Sequence, residues 1–298
     1  MKHLKHLLAS SLLLSAGFIA QASSLTWDPS QSGGASLGGP GTWDFNTTAN
    51  WFNGTADGKW TDSSTLGTDS AIFSATGGTV TLGQNLSVSN LQFTASGYTL
   101  SGAGILTLGA GGIDASTVTS GTTTIGNALS LAGGQQLWQV GSGGTLAVNG
   151  TVTRSAGATV DFSTTGVTSS SLANVNGILG GWATTGNSAG SGTTGDWATN
   201  NGVAIVTYTG YTLVGGSTAG TGASTQNWKN TAAGTAITLT ASTIINSLVQ
   251  QGDFSVANGT TLTLASGGLI MQGASRWLLD NGGGNLGSGA INSGLATG

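Results

Sequence analysis

The sequence contains no cysteine and no glutamate in its 298 residues, and only two histidines and two prolines. Without cysteine no disulfide can form, so the stability of the fold must come from packing and backbone pairing. Charged side chains are also scarce, at 5% of residues, and the formal net charge is −4. No basic stripe for a phosphate backbone is present, so we expect no nucleic-acid partner.

The N-terminal segment, residues 1–22, has the pattern of a secretory signal peptide. Lys2 and Lys5 form a positively charged start, residues 7–19 are apolar, and an A-x-A motif ends at Ala22. This pattern predicts export through the Sec machinery, with cleavage between Ala22 and Ser23. The apolar run is too short for a spanning helix, and we expect no spanning segment in the mature chain. An uncleaved anchor is the alternative.

The mature chain has little to offer for catalysis. Both histidines, His3 and His6, lie in the leader. A Ser-His-Asp triad, a cysteine nucleophile, a histidine-bearing zinc site and a glutamate general acid are therefore excluded. Aspartate pairs remain, and the nearest group is Asp57, Asp62 and Asp69 in a loop region, where we expect solvated turn residues. We predict no enzyme, no cofactor and no metal site.

The composition indicates an all-β chain. There are 54 glycines and nine tryptophans, β-branched residues are abundant, and strong helix formers are scarce. Apolar residues alternate at period two in short segments, each followed by Gly, Asn or Ser, which predicts short half-buried strands. These pairs are Val80 and Leu82, Leu86 and Val88, Leu91 and Phe93, Tyr98 and Leu100, Leu106 and Leu108, Leu129 and Leu131, Leu146 and Val148, and Val160 and Phe162.

Segments of the chain recur in the same order. Residues 105–113 return as residues 261–269, and four further matches flank them. These are 50–53 with 227–230, 80–82 with 237–239, 98–100 with 254–256, and 138–144 with 277–283. Near-copies favour a right-handed parallel β-helix, or β-solenoid, built from irregular repeats of about 20–25 residues, on the order of a dozen coils. β-Sandwich-like units are the alternative.

The repeats and the changes in composition divide the chain into five parts. The second copy is the shorter one, because it lacks the part that holds Lys59, Trp60 and Asp69 in the first. We predict a signal peptide (1–22), a Trp/Asp-rich N-terminal cap (23–78), a first solenoid unit (79–165), a Gly/Ser/Thr/Ala-rich insertion or joint (166–210), and a second, shortened unit (211–298), incomplete at its C-terminus.

Four tryptophans in the cap region are the candidates for a binding site. Trp27, Trp43, Trp51 and Trp60 lie beside Asp and Asn residues, a combination that can stack on sugars and bind their hydroxyls. The other interpretation is a cap or core role, in which the rings close the N-terminal end of the solenoid. The match of Trp51 to Trp228 favours that second interpretation.

Residues 111–114, Gly-Gly-Ile-Asp, resemble one unit of a calcium-binding nonapeptide repeat. The segment occurs once, without a tandem copy. We therefore expect a turn at the end of a coil here.

An ordered set of motifs resembles a known family. Residues 41–44 (GTWD), 48–51 (TANW) and 69–73 (DSAIF) precede 78–82 (GTVTL). Later come 179–184 (LGGWAT), 196–199 (DWAT) and 210–212 (GYT). Over most of residues 25–285 the chain is similar to the autotransporter-associated β-strand repeat proteins, also called passenger-associated transport repeats. The resemblance implies a β-helical passenger, secreted or displayed on the outer surface of a Gram-negative-type bacterium.

These observations lead to one principal functional hypothesis and two alternatives. The principal one is an exported, surface-displayed structural protein that acts in adhesion or matrix building, with extracellular glycans or cell-surface components as partners. A carbohydrate-binding module that uses the N-terminal tryptophans is the first alternative. The second is an Asp-dependent polysaccharide-degrading β-helix enzyme. We also expect the chain to be the N-terminal part of a longer protein with a β-barrel or anchor downstream, or else a truncated gene product.

Overall fold

The computed structural model describes residues 22–62, 67–162, 166–186, 195–215, 218–230, 237–272, 277–278 and 290–292. In these ranges the regular secondary structure is β-strand, without α-helix. No helix that is long and apolar enough to cross a membrane occurs in this part of the chain. The strands form a β-solenoid with parallel sheets, which confirms the predicted fold class.

The first group of paired strands, called the first unit below, extends from Ser24 to Thr207 and so includes the predicted cap, the predicted first solenoid unit and most of the predicted joint. It contains nineteen strands within the described residues. In chain order they are β1 (Ser24–Trp27), β2 (Gly41–Trp43), β3 (Trp51–Phe52), β4 (Asp57–Gly58), β5 (Ser70–Phe73), β6 (Thr79–Leu82), β7 (Leu86–Phe93), β8 (Thr99–Ser101), β9 (Leu106–Ala115), β10 (Thr122–Ile125), β11 (Leu129–Leu131), β12 (Gly134–Val140), β13 (Thr145–Val148), β14 (Val152–Arg154), β15 (Ala158–Phe162), β16 (Val167–Thr168), β17 (Ala183–Thr185), β18 (Asp196–Asn200) and β19 (Ile205–Thr207).

These strands form two walls. The first wall has the order β4-β3-β1-β5-β7-β9-β12-β15-β17-β18-β19, with β11 and β14 continuing beside β9. The second wall has the order β2-β6-β8-β10-β13-β16. Pairing is parallel throughout the middle of the first wall and becomes antiparallel at both of its ends, where β3 and β4 extend from β1 and where β18 and β19 extend from β17.

Successive turns of the first unit stack like residues on like residues. Leu86 pairs with Leu106, Leu106 with Leu129, and Leu129 with Val152. The three leucines are completely buried, and the next residue, a Ser or Thr in every turn, lies on the opposite face of its strand. The spacing of these partners agrees with the expected repeat length, whereas the turns number about eight rather than a dozen. Antiparallel strands at the two ends use residues that would otherwise form turns.

The second solenoid unit is shorter and entirely parallel in its described strands. These are β20 (Thr212–Val214), β21 (Thr218–Ala219), β22 (Asn227–Asn230), β23 (Ile237–Leu239), β24 (Thr243–Gln250), β25 (Phe254–Val256), β26 (Thr261–Met271), β27 (Trp277–Leu278) and β28 (Ala290–Asn292). One wall has the order β20-β22-β24-β26-β28 and the other β21-β23-β25-β27. Its apolar core is separate from that of the first unit.

The principal sequence repeat corresponds to a structural repeat. Residues 105–113 form most of β9 and residues 261–269 form most of β26, and each of these long strands lies in the first wall of its unit. Each also contains a β-bulge where it pairs with the preceding wall strand. The extra residues lie between Leu108 and Gly112 in β9 and between Leu264 and Gly268 in β26. β9 and β26 therefore share the position of a bulge as well as a similar sequence.

The tryptophan matches do not mark equivalent positions, and this part of the repeat prediction is wrong. Trp51 lies in β3, which pairs antiparallel with β1, whereas Trp228 pairs in parallel with Leu248. The structural counterpart of Trp228 is Ala71, which pairs in parallel with Leu91 one turn before β9. Ala71 precedes Trp228 by 157 residues, the same offset as between Val80 and Ile237, so no residues are missing from this stretch of the second copy. The β3–β4 hairpin lies before β5 and has no counterpart among the described strands of the second unit. Similarly, β12, which holds Trp138, is a first-wall strand, whereas β27 belongs to the second wall of its unit.

Candidate functional site

The four N-terminal tryptophans pack on one another inside the cap. Their side chains are exposed by at most 1%, and the ring centroids of Trp43, Trp51 and Trp60 lie 4.7 to 4.9 Å apart. Trp27 joins the cluster edge-on at 5.1 Å from Trp51. Phe73 connects it to the first turn of the solenoid and stacks on the next wall aromatic, Phe93. The cluster has the geometry of a core, and contact with a sugar would require it to open.

Hydrogen bonds from the indole nitrogens fix two of these rings. Trp27 Nε1 donates to the Gly39 carbonyl at 2.9 Å, and Trp60 Nε1 donates to the Ser87 carbonyl at 3.1 Å. The second bond ties the end of the β3–β4 region to β7. The sequence showed four tryptophans close together along the chain. Their position inside the cap follows from the antiparallel hairpin, which sequence periodicity did not indicate.

Asp28 anchors the loop after β1 and is completely buried. Its carboxylate accepts hydrogen bonds from Ser30 Oγ at 2.7 Å, from Ser32 and from the Gly34 backbone at 2.9 Å. Burial alone would raise the pKa of Asp28, but these donors outweigh it and lower the pKa below its ordinary value. Its chemistry is that of a turn anchor.

The three aspartates that could have formed an acidic pair do not act as one group. Asp57 Oδ2 accepts from the Gly33 backbone at 2.8 Å. Asp62 and Asp69 lie together, with Asp62 Oδ2 accepting from the Asp69 backbone at 3.0 Å. Asp69 is only 9% exposed, so the expectation of a solvated turn residue is wrong for it. The described residues contain no cluster of three or more acidic, His or Cys side chains placed to hold a metal ion.

The predicted signal cleavage site, between Ala22 and Ser23, lies directly before β1. Ala22 and Ser23 are both exposed. The backbone nitrogen of Ser23 donates to Asp69 Oδ1 at 2.9 Å, and its carbonyl accepts from the Ser70 backbone at 2.8 Å. The first residue after the predicted cleavage is therefore already part of the β1–β5 ladder.

The Gly-Gly-Ile-Asp segment lies inside β9, and the expectation of a turn at the end of a coil is wrong. Gly112 is at the bulge, with a φ of +69°. Asp114 Oδ1 accepts from the Ser116 backbone at 2.9 Å and from Gln139 Nε2 at 3.0 Å. The two glycines serve close strand packing, because a Cβ on Gly112 would lie 2.2 Å from the Leu137 carbonyl oxygen.

A second region of interest is the joint, where the second unit packs against the end of the first. Ile178, Trp197 and Val249 form a small buried cluster there, covered by Tyr208, Tyr211 and Ile270. The backbones approach closely at Gly181 and Gly268, since a Cβ on Gly181 would lie 2.6 Å from the Gly268 Cα. Only glycine leaves room for this contact.

Polar groups reinforce the joint. Asp196 accepts from Lys229 Nζ at 2.6 Å and from the hydroxyl of Tyr211, and the ammonium lies 5.1 Å from the centroid of the Tyr211 ring. Burial, and then the bond to Asp196 and its charge, raise the pKa of Tyr211 well above its ordinary value. The phenol therefore stays protonated and donates to the carboxylate.

An asparagine network crosses the same joint. Asn176 Nδ2 donates to Asn246 Oδ1 at 3.1 Å, and Asn246 Nδ2 donates to Asn227 Oδ1 at 2.7 Å. Asn227 completes the network by donating to the Asn176 carbonyl at 2.7 Å. Asn227 and Asn246 are each 2% exposed, so these bonds form in a dry environment.

A groove runs beside the joint and is centred on Trp182, which is half-buried and directly precedes β17. The guanidinium carbon of Arg154 lies 4.7 Å from the centroid of the Trp182 ring. One wall of the groove carries Gln135 and Thr159, which pair on successive turns, and the other is formed by β26. Its two parts have volumes of about 350 and 210 Å³.

Sequence reasoning missed this groove. Trp182 was visible as part of the motif at 179–184, but its opposite wall is β26, which lies in the other unit and far along the chain. No local pattern connects those segments. Trp182 is a half-exposed ring surrounded by an arginine, an amide and hydroxyls. This is the arrangement for sugar binding that was expected of the four N-terminal tryptophans, which are buried instead.

The chain is similar to a bacterial adhesin. It is 37% identical over 157 residues to the adhesin BmaC autotransporter of Brucella suis biovar 1 (strain 1330). The match covers 51% of this chain and 4% of that protein, so the chain spans a small fraction of its relative. No family model matches the chain, and no solved structure matches it. The similarity and the β-solenoid fold are together consistent with an autotransporter passenger repeat protein.

Proposed function

We propose that this chain is an exported, surface-displayed β-solenoid that acts in adhesion, as a passenger does in an autotransporter. The observation that carries the proposal is the similarity of half the chain to an autotransporter adhesin. The stacked residues Thr107, Ser130 and Thr153 support it, because they place hydroxyl groups on the outer face of successive turns. An outer-surface location in a Gram-negative bacterium follows from the same relative. We also propose a larger parent protein with a downstream anchor.

The groove at Trp182 supports a more specific role in contact with carbohydrate. Sugars bind where an aromatic ring stacks on their apolar face and nearby polar groups bind their hydroxyls. Trp182 provides the ring, and Arg154, Gln135 and Thr159 provide donors and acceptors around it. The relative is named an adhesin, and the carboxylates of the aspartates described above accept hydrogen bonds from neighbouring groups of the fold. We therefore do not propose that they cleave a polysaccharide.

The test is to display the chain on a non-adherent bacterium and measure attachment to epithelial cells and to immobilised glycans. Attachment above that of bacteria displaying an unrelated β-solenoid at equal density is the expected result. Trp182→Ala should lower binding to a recognised glycan about tenfold, the loss of one stacking contact of roughly 1.4 kcal/mol.

Phe45→Ala is the matched control, because Phe45 is an exposed aromatic (38%) outside the groove. Equal attachment of the chain and the unrelated solenoid would contradict the adhesion proposal. Attachment that is unchanged by Trp182→Ala, in a protein of unchanged melting temperature, would contradict only the carbohydrate role of the groove.

A further inference from the structure

The backbone nitrogen of Ser23 occupies an acidic site. It lies 2.9 Å from Asp69 Oδ1, and Asp69 is 9% exposed. The following strand holds this nitrogen in place, because β1 pairs in register with β5 directly after Asp69. The nitrogen belongs to the residue at which the mature chain is predicted to start. Its position is therefore set by the fold and not by the leader.

The acidic site lacks an ion-paired side chain. Burial and the charge of the neighbouring Asp62 disfavour ionisation of Asp69, while the bond from Ser23 favours it. The ion pair between Lys229 and Asp196 belongs to the joint and does not reach this site. Two neighbouring carboxylates, one of them buried, thus meet backbone donors and no paired cation. A positive charge at the Ser23 nitrogen is what the site lacks.

We propose that the Asp62–Asp69 pair is a binding site for the α-ammonium group that signal cleavage creates at Ser23. Cleavage adds water across the Ala22–Ser23 peptide bond. The carbonyl of Ala22 becomes a carboxylate, and the amide nitrogen of Ser23 becomes an amine that takes up a proton at neutral pH. The same atom that donated as a neutral amide then pairs with Asp69 as a cation.

This assignment gives the processing step a structural consequence. Before cleavage the cap keeps two acidic groups without a counter-charge, and after cleavage it gains an ion pair at its first strand. Completion of the cap is therefore coupled to removal of the leader. The cap is at its most stable only after the chain has been exported, which suits a protein that must remain transportable until then.

The experiment compares two forms of the mature chain, one starting at Ser23 and one with Gly-Ser placed before it. In the second form the Ser23 nitrogen is again a neutral amide. The form starting at Ser23 should melt higher by about 2–4 °C, the shift that a single ion pair gives in a protein of this size. Asp69→Asn should remove the difference between the two forms. A difference that persists in Asp69→Asn, or no difference in the native sequence, would overturn the proposal.

A second measurement follows the α-amine itself through the pH dependence of its labelling by an amine-reactive reagent. A free α-amine has a pKa of about 7.7–8. Pairing with a carboxylate favours the charged form, so the pKa should be higher in the native chain than in Asp69→Asn. Asp114→Asn is the matched control, since Asp114 bonds to Ser116 and Gln139 and not to the terminus.

Two further outcomes decide the case if Asp69→Asn fails to fold. Asp62→Asn keeps the direct bond and should lower the α-amine pKa by a smaller amount in the same direction. Mass spectrometry of the exported protein should show Ser23 as its first residue. A different first residue, or an α-amine pKa that is unaffected by Asp62→Asn, would overturn the assignment.

Discussion

At the scale of single residues, Asp28 illustrates a charge that is stabilised without a cation. It is buried, and hydroxyl and backbone donors from Ser30, Ser32 and Gly34 surround its carboxylate. Such donors are pre-placed by the loop that the aspartate itself organises. The sequence Asp-Pro-Ser-Gln-Ser-Gly-Gly suggests a turn, but the burial of Asp28 depends on tertiary packing, which no local pattern reveals.

Replacing Asp28 by alanine should destabilise the protein by about 1–3 kcal/mol at pH 7, because buried donors lose their acceptor. The folded-state pKa of Asp28 is lowered, so its contribution is present above the ordinary pKa of 3.8 and is lost as the pH falls through the folded value. The destabilisation should therefore shrink in strong acid. Unfolding midpoints followed by tryptophan fluorescence at neutral pH and in strong acid measure this.

Asp44→Ala is the control for this prediction. Asp44 is half-exposed and accepts only from Thr48, through its backbone nitrogen at 2.9 Å and its hydroxyl at 2.5 Å. A smaller loss of stability is expected there. Equal losses for the two variants, or a loss for Asp28→Ala that does not change with pH, would be inconsistent with a buried and charged anchor.

At the scale of secondary-structure elements, the strands themselves were predictable and the departures from regular pairing were not. Period-two alternation located β6 to β9 because their inward residues are apolar at every second position. The bulge in β9 and the replacement of Ala71 by Trp228 in the second copy left no mark on that alternation. The bulge shifts the register of β9 against β7 by two residues, which keeps the same faces, and a hairpin insertion changes which strand is equivalent, so neither alters the local sequence pattern.

Gly112→Ala should be among the most damaging small substitutions in β9, with a loss of about 3 kcal/mol or more. The new Cβ would overlap the Leu137 carbonyl oxygen, and a φ of +69° is itself unfavourable for alanine. Chemical denaturation of the purified variant is the measurement.

Gly54→Ala separates the two causes. Gly54 also has a positive φ of +93°, but no atom lies within 4 Å of the position of its Cβ. This variant should lose about 1–2 kcal/mol from backbone strain alone. If Gly112→Ala and Gly54→Ala lost the same stability, the close approach of β9 to β12 would add nothing to the cost of the substitution, which would contradict this prediction.

At the scale of the whole molecule, the two solenoid units pack against each other at the joint. The sequence indicated two units and a segment between them, on the basis of repeats and composition. It did not indicate that β24 and β26 would pack their outer faces against residues 176–182 and 195–197. Such contacts depend on complementarity between segments that are distant in the chain, which repeat matching does not detect.

Asn246→Ala should loosen the joint and leave both solenoids folded. The substitution removes the bridge between Asn176 and Asn227 and leaves buried polar groups without partners, at a cost of about 1–3 kcal/mol. Protease cleavage within residues 195–215 should become faster while fragments of both units stay intact. Asn85→Ala is the control, because its exposed bond to the Ile105 backbone lies within the first unit.

Faster cleavage of the joint in Asn85→Ala as well, or unchanged cleavage in Asn246→Ala, would contradict the role of the network. Unfolding of the second unit alone in Asn246→Ala would show instead that this unit depends on the joint for its own folding.

The separate cores of the two units have a mechanical consequence. Each solenoid resists stretching through rows of backbone hydrogen bonds between turns. The contacts described between the units are fewer: a small apolar cluster, the close approach of Gly181 and Gly268, an ion pair, and hydrogen bonds that include the asparagine network and the bond from Gln272 to the Gly195 carbonyl. Force applied along the two units would therefore separate them at this seam before any turn of either solenoid unravels.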